Sequence, residues 1–368
     1  MTRDDLLRSI ATYGLPRGGA PLPTEPLGPA TWSSLLRSVR DQRLIGYLAS
    51  AVEAGDMVVS PEQRDEVFAQ HLESCVRAVR LDRTLLALAE QLHAAGIDLV
   101  VLKGTASAHL LYPDPAMRVF ADNDLLFRTD QFESALRVLQ DVGYVRPAAP
   151  PRPDFDRLFA KGVTLKGLAG DEVDTHRNLV FGTFGFRIDL DELFDSSVTF
   201  ELGGRRLRAL GPETRFLHAC YHAALGDPDP RYSSIRDIAQ MLAYSPLDIR
   251  RVLELARRWE SQAVLARALH LCRDQLGFEI TGALAAAVDA YEPTRRERRA
   301  IASYVGVNRH YAAKVAASLP YLDGVGTKLA FLRAATLPSE EFVESRGNEP
   351  RGAWIRRGVR SLFSGAFR

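Results

Sequence analysis

The stretch "VLKGTASAHLLYPDPAMRVFADNDLLF", residues 101–127, decides how the chain is read. An apolar, β-branched run, "IDLVV", leads into Lys103-Gly104, and a short helical stretch, "TASAHLLY", follows. Two aspartates, Asp122 and Asp124, then stand one residue apart in "ADNDLLFR", which has the pattern of a second strand. Residues two apart on a strand share a face, so the two carboxylates project side by side. Like charges on a half-buried strand repel and lose hydration, and something positive must compensate them. A divalent cation is the natural compensation, since magnesium favours a few carboxylates together with phosphate oxygens. Gly104 at the strand-to-helix corner lets a ligand approach the backbone N–H groups. The helix start behind it favours phosphate, and Thr105 adds a hydroxyl.

Outward from this stretch the patterning changes twice. Residues 1–95 carry helical periodicity. A helix is expected over "TWSSLLRSVRDQRLIGYLASAVEAG" with Thr31 as its N-cap, and a longer one runs from Ser60-Pro61 to a stop at Gly96. The middle third alternates strands and short helices. "TDQFESALRVLQDVGY" is a helix capped by Thr129 or Asp130 and ended by Gly143. A proline-rich loop, "RPAAPPRPDF", precedes the strand-like pieces "RLFAKGVTLKG", "DEVDTHRNLV" and "FRIDL". "VTFEL" and "RRLRAL" flank a Gly203-Gly204 hairpin signal. Helical periodicity returns at about residue 212 and persists to about 335. The tail, 336–368, is basic and carries Trp354, Phe363 and Phe367, either as an amphipathic arm or as a solvated terminus. The expected fold class is α+β: a small mixed sheet over 96–211, flanked by helical regions at 1–95 and 212–335.

With 46% hydrophobic and 25% charged residues, the composition is that of a globular protein, and the net charge of +1 leaves no overall footprint for nucleic acid. Arginine dominates lysine and alanine is abundant, as in chains coded by GC-rich bacterial genomes. Cys75, Cys220 and Cys272 lie far apart with no CxxC pair, which argues against a disulfide framework or zinc site and makes all three small buried apolar residues. The N-terminal "MTRDDLLRSIATYGL" lacks the apolar core of a secretory signal, and no window has the length of a membrane span. A cytoplasmic protein without an integral membrane segment is expected. GxSxG, P-loop, GxGxxG and kinase signatures are not found.

The order of apolar strand, Gly-Thr corner, helix and Asp-x-Asp strand resembles the nucleotidyltransferase superfamily typified by DNA polymerase β and the aminoglycoside nucleotidyltransferases. Within it, "VLKGTASAHLLYPDPAMRVFADNDLLFR", "ALRVLQDVGY", "EVDTHRNLV", "FLHACYHAAL" and "RYSSIRDIAQML", in that order, are similar to the bacterial uncharacterised nucleotidyltransferases. The resemblance implies that Gly104 and Thr105 cradle the phosphates of a nucleoside triphosphate such as ATP. It implies that Asp122, Asp124 and a third carboxylate, Asp174, bind two magnesium ions, and that Asp174 helps deprotonate the acceptor. Lys103 and Arg118 are the nearest cations for the phosphates. His176, two residues beyond Asp174, touches phosphate, orients an acid, or is an ordinary strand histidine. Asp189 and Asp191 in "FRIDLDEL" are rivals for the third position. Asn123 stands where the superfamily has an apolar residue, so that face of the strand is expected to be less buried. His218 and His222 lie four apart on a helix without an HExxH glutamate, which points to packing or hydrogen bonding toward the cleft. Arg236-Asp237 is an internal ion pair or a substrate contact.

The implied activity is magnesium-dependent transfer of a nucleoside monophosphate to an acceptor, with release of pyrophosphate. The acceptor is expected to be a small molecule, peptide or carbohydrate and not a nucleic acid. Two alternatives stand beside it: a non-catalytic relative that binds a nucleotide or partner, and a phosphotransferase that moves a sugar-phosphate unit.

Overall fold

The structure, a computed structural model, describes residues 2–16, 21–168, 170–306, 311–345, 350, 352–353 and 355–356. Trp354, Phe363 and Phe367 of the basic tail lie outside the described residues. Six short strands occupy the middle third: β1 (Leu99–Leu102), β2 (Asn123–Phe127), β3 (Gly162–Lys166), β4 (Glu172–His176), β5 (Val198–Leu202) and β6 (Arg205–Ala209). They form one sheet in the order β3-β4-β2-β1-β6-β5. The pairs β1–β6 and β2–β4 are parallel and the remaining three antiparallel, so the expected α+β class with a mixed sheet is what the chain adopts.

Alternation along the strands divides the core in two. Val101, Leu125, Phe127, Leu165 and Val173 face one apolar cluster, completed by Leu85, Leu88 and Leu92 of the long helix Pro61–Ala94 and by Phe132, Ala135 and Leu139 of the helix Phe132–Asp141. Val100, Leu102 and Leu126 face the other way. There, side chains of the N-terminal helices, such as Ile10, Leu35 and Leu48, meet Phe216, Ile235 and Leu269 from the helices after residue 211 in a single cluster. A third cluster joins Phe155 and Phe159, ahead of β3, to Val315 and Phe331 near the C-terminus. Arg152 Nε donates to the Leu337 carbonyl at 2.7 Å, so the C-terminal helices hold the proline-rich loop in place.

Ser60 caps the long helix with a reciprocal capping box, and Gly96 (φ 71°), Gly143 (φ 99°) and the Gly203-Gly204 turn behave as the sequence predicts. Several local expectations fail, among them the single helix over 31–55, which the turn at Arg43 divides into Pro29–Asp41 and Ile45–Glu53. The second helix begins at Pro29 with Gly28 as its cap, because proline sets the first turn two residues before Thr31. The helix expected to start at Thr129 or Asp130 is preceded instead by Gln131. Its side chain accepts from the Asp98 N–H (3.0 Å) and donates to the Gly96 carbonyl (3.1 Å), which fastens the helix start to the entry of β1. "FRIDL" forms no strand. Asn178 Nδ2 reaches the Gly185 carbonyl (2.8 Å) and curls the chain into turns, and Asp189 caps a helix over Leu190–Asp195. All three cysteines are free; Cys220 and Cys272 are buried, whereas Cys75 is only half-buried. No described helix is long and apolar enough to cross a membrane.

Gly162 shows how tightly β3 lies on β4. It pairs with His176, and a Cβ added to it would stand 1.8 Å from the Thr175 carbonyl oxygen. Gly162→Ala therefore forces the two strands apart and is expected to destabilise the fold by about 2–3 kcal/mol, the scale of overpacking. A lower urea midpoint with an unchanged denaturant slope is the outcome that checks it.

Candidate functional site

The site forms where β2 and β4 run parallel in register, with Asp124 opposite Asp174. The pleat turns Asp124 and Leu126 to one face and Asn123, Leu125 and Phe127 to the other. Asn123 is therefore not the more exposed position that its polarity suggests. It is 2% exposed beneath the long helix, where its Nδ2 donates to the Leu81 carbonyl at 3.0 Å.

Asp124 is 3% exposed and keeps its charge through two contacts on a single oxygen. Lys103 Nζ and His176 Nε2 each lie 2.8 Å from Asp124 Oδ1. Burial alone would raise the carboxyl's pKa, but Lys103 and His176 hold it well below the usual range. The ammonium of Lys103 shows the mirror effect: burial disfavours its charge, and Asp124 more than restores it, leaving the pKa above the ordinary lysine value. Burial and the nearby Lys161 push His176 down to about 4, so the ring is neutral at ordinary pH. Its Nε2–H donates to the carboxylate while Nδ1 faces the Asn178 carbonyl at 3.3 Å.

Asp174 is half-buried, and Thr164 on β3 donates to its Oδ1 at 2.5 Å. One ligating atom each from Asp124, Asp174 and His176 lie within 4.8 Å of one another. Asp122 sits just before β2, half-buried and outside that tight group. It belongs to the same electrostatic cluster, because burial, Asp124 and Asp174 raise its pKa while Lys103 and Arg43 oppose the rise.

The corner that feeds the site is unusual. Lys103 has φ 36°, and Gly104 breaks the helix Lys103–Leu111 with φ 10° and ψ −103°. A Cβ on Gly104 would reach Phe120 and the Asp122 carbonyl oxygen at 3.4 Å, so the glycine lets the corner press against the approach to β2. Thr105 is buried, and its hydroxyl donates to Asp82 Oδ1 on the long helix at 3.2 Å. Arg118 is likewise occupied. Its Nε and Nη2 donate to the Asp237 carboxylate at 2.7–3.1 Å and its Nη1 to the Val119 carbonyl at 2.5 Å, all in the interior. The Tyr112 hydroxyl donates to the same carboxylate at 2.7 Å. Asp237 is thus an internal ion-pair partner, of Arg118 and not of Arg236. Arg236 donates to the carbonyls of Ala11 and Tyr13. Asp189 and Asp191, the rivals for the third carboxylate, are taken up elsewhere: Asp189 caps a helix, and Asp191 pairs with Arg128 at 3.0 Å.

Two cations that the motifs do not flag belong to the cluster. Lys161, just before β3, is half-buried and has no ion pair of its own among the described residues. Burial and Lys103 lower its pKa, while Asp124, Asp174 and Asp122 raise it. Arg43 comes from the turn between the helices Pro29–Asp41 and Ile45–Glu53, with φ 57°. Its pKa falls through burial and the nearby Arg231 and Arg118, against the pull of Asp122 and Asp124. That turn is fastened to the helix Tyr232–Tyr244, because Tyr232 N–H donates to Gln42 Oε1 at 2.8 Å and Arg231 Nε to the Asp41 carbonyl at 3.2 Å. On the helix Pro212–Leu225, His218 is buried and His222 exposed. Burial lowers the pKa of His218 well below the ordinary value, with Lys103 and His176 adding to the fall and Asp124 opposing it. His222 stands on the exposed side of the same helix.

A family model described as an uncharacterised nucleotidyltransferase matches residues 28–277, a span that contains every residue of this cluster. No curated protein sequence matches the chain. Among solved structures, a lincomycin-bound lincosamide antibiotic adenylyltransferase, LnuA, aligns with 14% identity and a TM-score of 0.32, covering 43% of this chain and 94% of its own. An antigenic nucleotidyltransferase-like protein from Paracoccidioides brasiliensis aligns with 17% identity and a TM-score of 0.34, covering 59% and 95% respectively.

The Arg118–Asp237 pair generates a stability prediction. Asp237→Ala leaves a buried guanidinium without its carboxylate and is expected to cost about 3–5 kcal/mol in urea unfolding. The double variant Arg118→Met, Asp237→Leu removes both charges and is expected to recover most of that loss.

Proposed function

Because the chain belongs to the family of uncharacterised nucleotidyltransferases, we propose that it transfers a nucleoside monophosphate from a nucleoside triphosphate to a non-nucleic-acid acceptor, releasing pyrophosphate. The observation that carries this reading is the in-register pairing of Asp124 with Asp174 beside Lys103, Lys161 and Arg43. The donor set fits a hard divalent cation: carboxylate oxygens from two strands approach within 4.8 Å, and Asp122 adds negative charge alongside. Asp124 and Asp174 would hold it, with Asp122 contributing to a second ion. Bound there, magnesium supplies neutralisation of phosphate charge and sharpening of the acceptor oxygen.

The chain's own groups do the rest. His176 holds Asp124 in one orientation. Lys161 and Arg43 meet the β- and γ-phosphates, with the corner at Gly104 beneath them. Asp174 takes the proton from the acceptor hydroxyl or amine as that atom bonds to the α-phosphorus. The bond from phosphorus to the bridging oxygen breaks, and pyrophosphate leaves with that electron pair. Thr105 and Arg118 are assigned to holding the corner, since the hydroxyl of one and the guanidinium of the other are already engaged. A small-molecule, peptide or carbohydrate acceptor suits a net charge of +1 better than a polynucleotide does. The alternative of a binding-only relative draws on one feature, the internal neutralisation of Asp124 by Lys103.

Incubation with each of the four α-labelled triphosphates, magnesium and cell extract separates the two. Label on an acceptor that falls at least about 100-fold in Asp124→Asn and in Asp174→Asn supports transfer. Nucleotide binding without turnover, indifferent to those substitutions, overturns it. Lys161→Ala and Arg43→Ala are each expected to raise KM for the triphosphate about tenfold or more, the worth of one charge-assisted hydrogen bond. An unchanged KM would remove that residue from the phosphate site.

A further inference from the structure

Asp124 already has a cation. Lys103 Nζ lies 2.8 Å from the same Oδ1 that receives His176, and the carboxylate is sealed from water. A divalent ion held by Asp124 and Asp174 would bind within a few ångströms of that ammonium, given the 4.8 Å limit on the spacing of the ligating atoms. A dication and an ammonium on one carboxylate repel each other, and the low dielectric of a buried site strengthens the repulsion. Lys161 adds a further positive charge in reach of Lys103.

His176 is enclosed by protein and gives its Nε2–H to Asp124, but Lys103 is not confined in the same way. Its side chain keeps 18% of its surface exposed, Asp124 is its single ion-pair partner among the described residues, and its four-carbon stem can swing. The backbone beneath it is held in the left-handed region, a conformation that persists only where surrounding contacts impose it.

We propose that Lys103 is an exchangeable counter-ion: it neutralises Asp124 until a divalent cation takes that carboxylate, then moves to the nucleotide phosphates. Metal and nucleotide therefore bind with positive coupling, each making room or supplying a partner for the other's cation. This rests on the reading of Asp124 and Asp174 as metal ligands. Coupling is reciprocal, so it is visible from either ligand. A lysine that only contacted phosphate would behave differently, since its removal would weaken nucleotide binding and leave the affinity for metal alone unchanged.

The test uses Mn2+ as the metal probe, followed by electron paramagnetic resonance. The nucleotide probes are the α,β-methylene analogues of the four common triphosphates, followed by calorimetry and corrected for the metal–nucleotide complex in solution. In the full-length wild-type chain, Mn2+ alone is expected to bind at least about tenfold more weakly than with saturating analogue. In Lys103→Met, Mn2+ alone is expected to bind about tenfold more tightly than in wild type, with the coupling reduced toward none. Lys103→Arg keeps a cation at the carboxylate and is expected to retain weak Mn2+ binding. Circular dichroism on both variants monitors folding. Mn2+ affinity that is unchanged or lower in Lys103→Met, with coupling intact in wild type, overturns the exchange while leaving the transferase reading in place. A wild-type chain that binds neither Mn2+ nor any analogue overturns that reading and this inference together.

Discussion

The structure turns on a carboxylate placed where water cannot reach it. Asp124 carries its charge on a central strand because Lys103 and His176 converge on one of its oxygens. The magnitudes show which effect wins. Withdrawing one partner from a buried ion pair costs about 3–5 kcal/mol. Holding a non-glycine residue at positive φ costs on the order of 1–3 kcal/mol. The pair is thus able to hold Lys103 in its left-handed conformation, and the tight corner at Gly104 follows from where that backbone must lie. The parallel pairing of β2 with β4 brings Asp174 and His176 to the same face, so a single hydrogen-bonding register assembles acid, acid and imidazole.

The choice of cation carries its own information. Only five of the 47 basic residues are lysines, yet Lys103 and Lys161 both stand in the carboxylate cluster, each followed by a glycine. Arg118, the arginine in the motif itself, is locked by its planar fork onto Asp237 and the Val119 carbonyl. A guanidinium suits a fixed bidentate partner, whereas an ammonium on a flexible stem can change partners without giving up a matched geometry. The arginine in this stretch serves the fold, tying the segment after Gly104 to the helix Tyr232–Tyr244. The lysines stand where charge has to be rebalanced.

Much of the fold was legible in the sequence because local signals agreed with each other. Ser60-Pro61, Gly96, Gly143 and Gly203-Gly204 mark boundaries through backbone chemistry that tertiary packing does not override. Asp122, Asp124, Asp174 and His176 were legible as an ordered set, and the structure brings Asp124, Asp174 and His176 within ligating distance of each other. What was not legible depends on partners remote in sequence. Asn123 looks like an exposed position until the Leu81 carbonyl, more than forty residues upstream, is placed over it. Thr105 has the right residue type for phosphate, but Asp82 on the long helix claims its hydroxyl. Lys161 stands inside the strand-like piece "RLFAKGVTLKG", just ahead of β3, and Arg43 in a turn of a purely helical region, so neither lies in a motif. "FRIDL" alternates like a strand, yet Asn178 closes the turn just ahead of it on the Gly185 carbonyl, and Phe186 and Ile188 donate back to Gly182 and Gly185, bonds that periodicity does not register.

Arg43 extends the logic of Lys103 to the helical shell. Among the described non-glycine residues only four have positive φ, and two of them, Arg43 and Lys103, are cations within reach of the same aspartates. Glycine would adopt either backbone with less strain, so local stability does not explain a charged side chain there. Lys103 carries its ammonium from such a backbone onto Asp124, and Arg43 lies near enough for Asp122 and Asp124 to bear on its charge. The turn bearing Arg43 is also fastened to the helix Tyr232–Tyr244, the element that holds Asp237 and through it Arg118. Segments before and after the sheet are therefore joined at the cleft by hydrogen bonds as well as by apolar packing. The helical shell bears on the site's electrostatics, because the turn that carries Arg43, a cation whose charge opposes the rise in the Asp122 pKa, belongs to it.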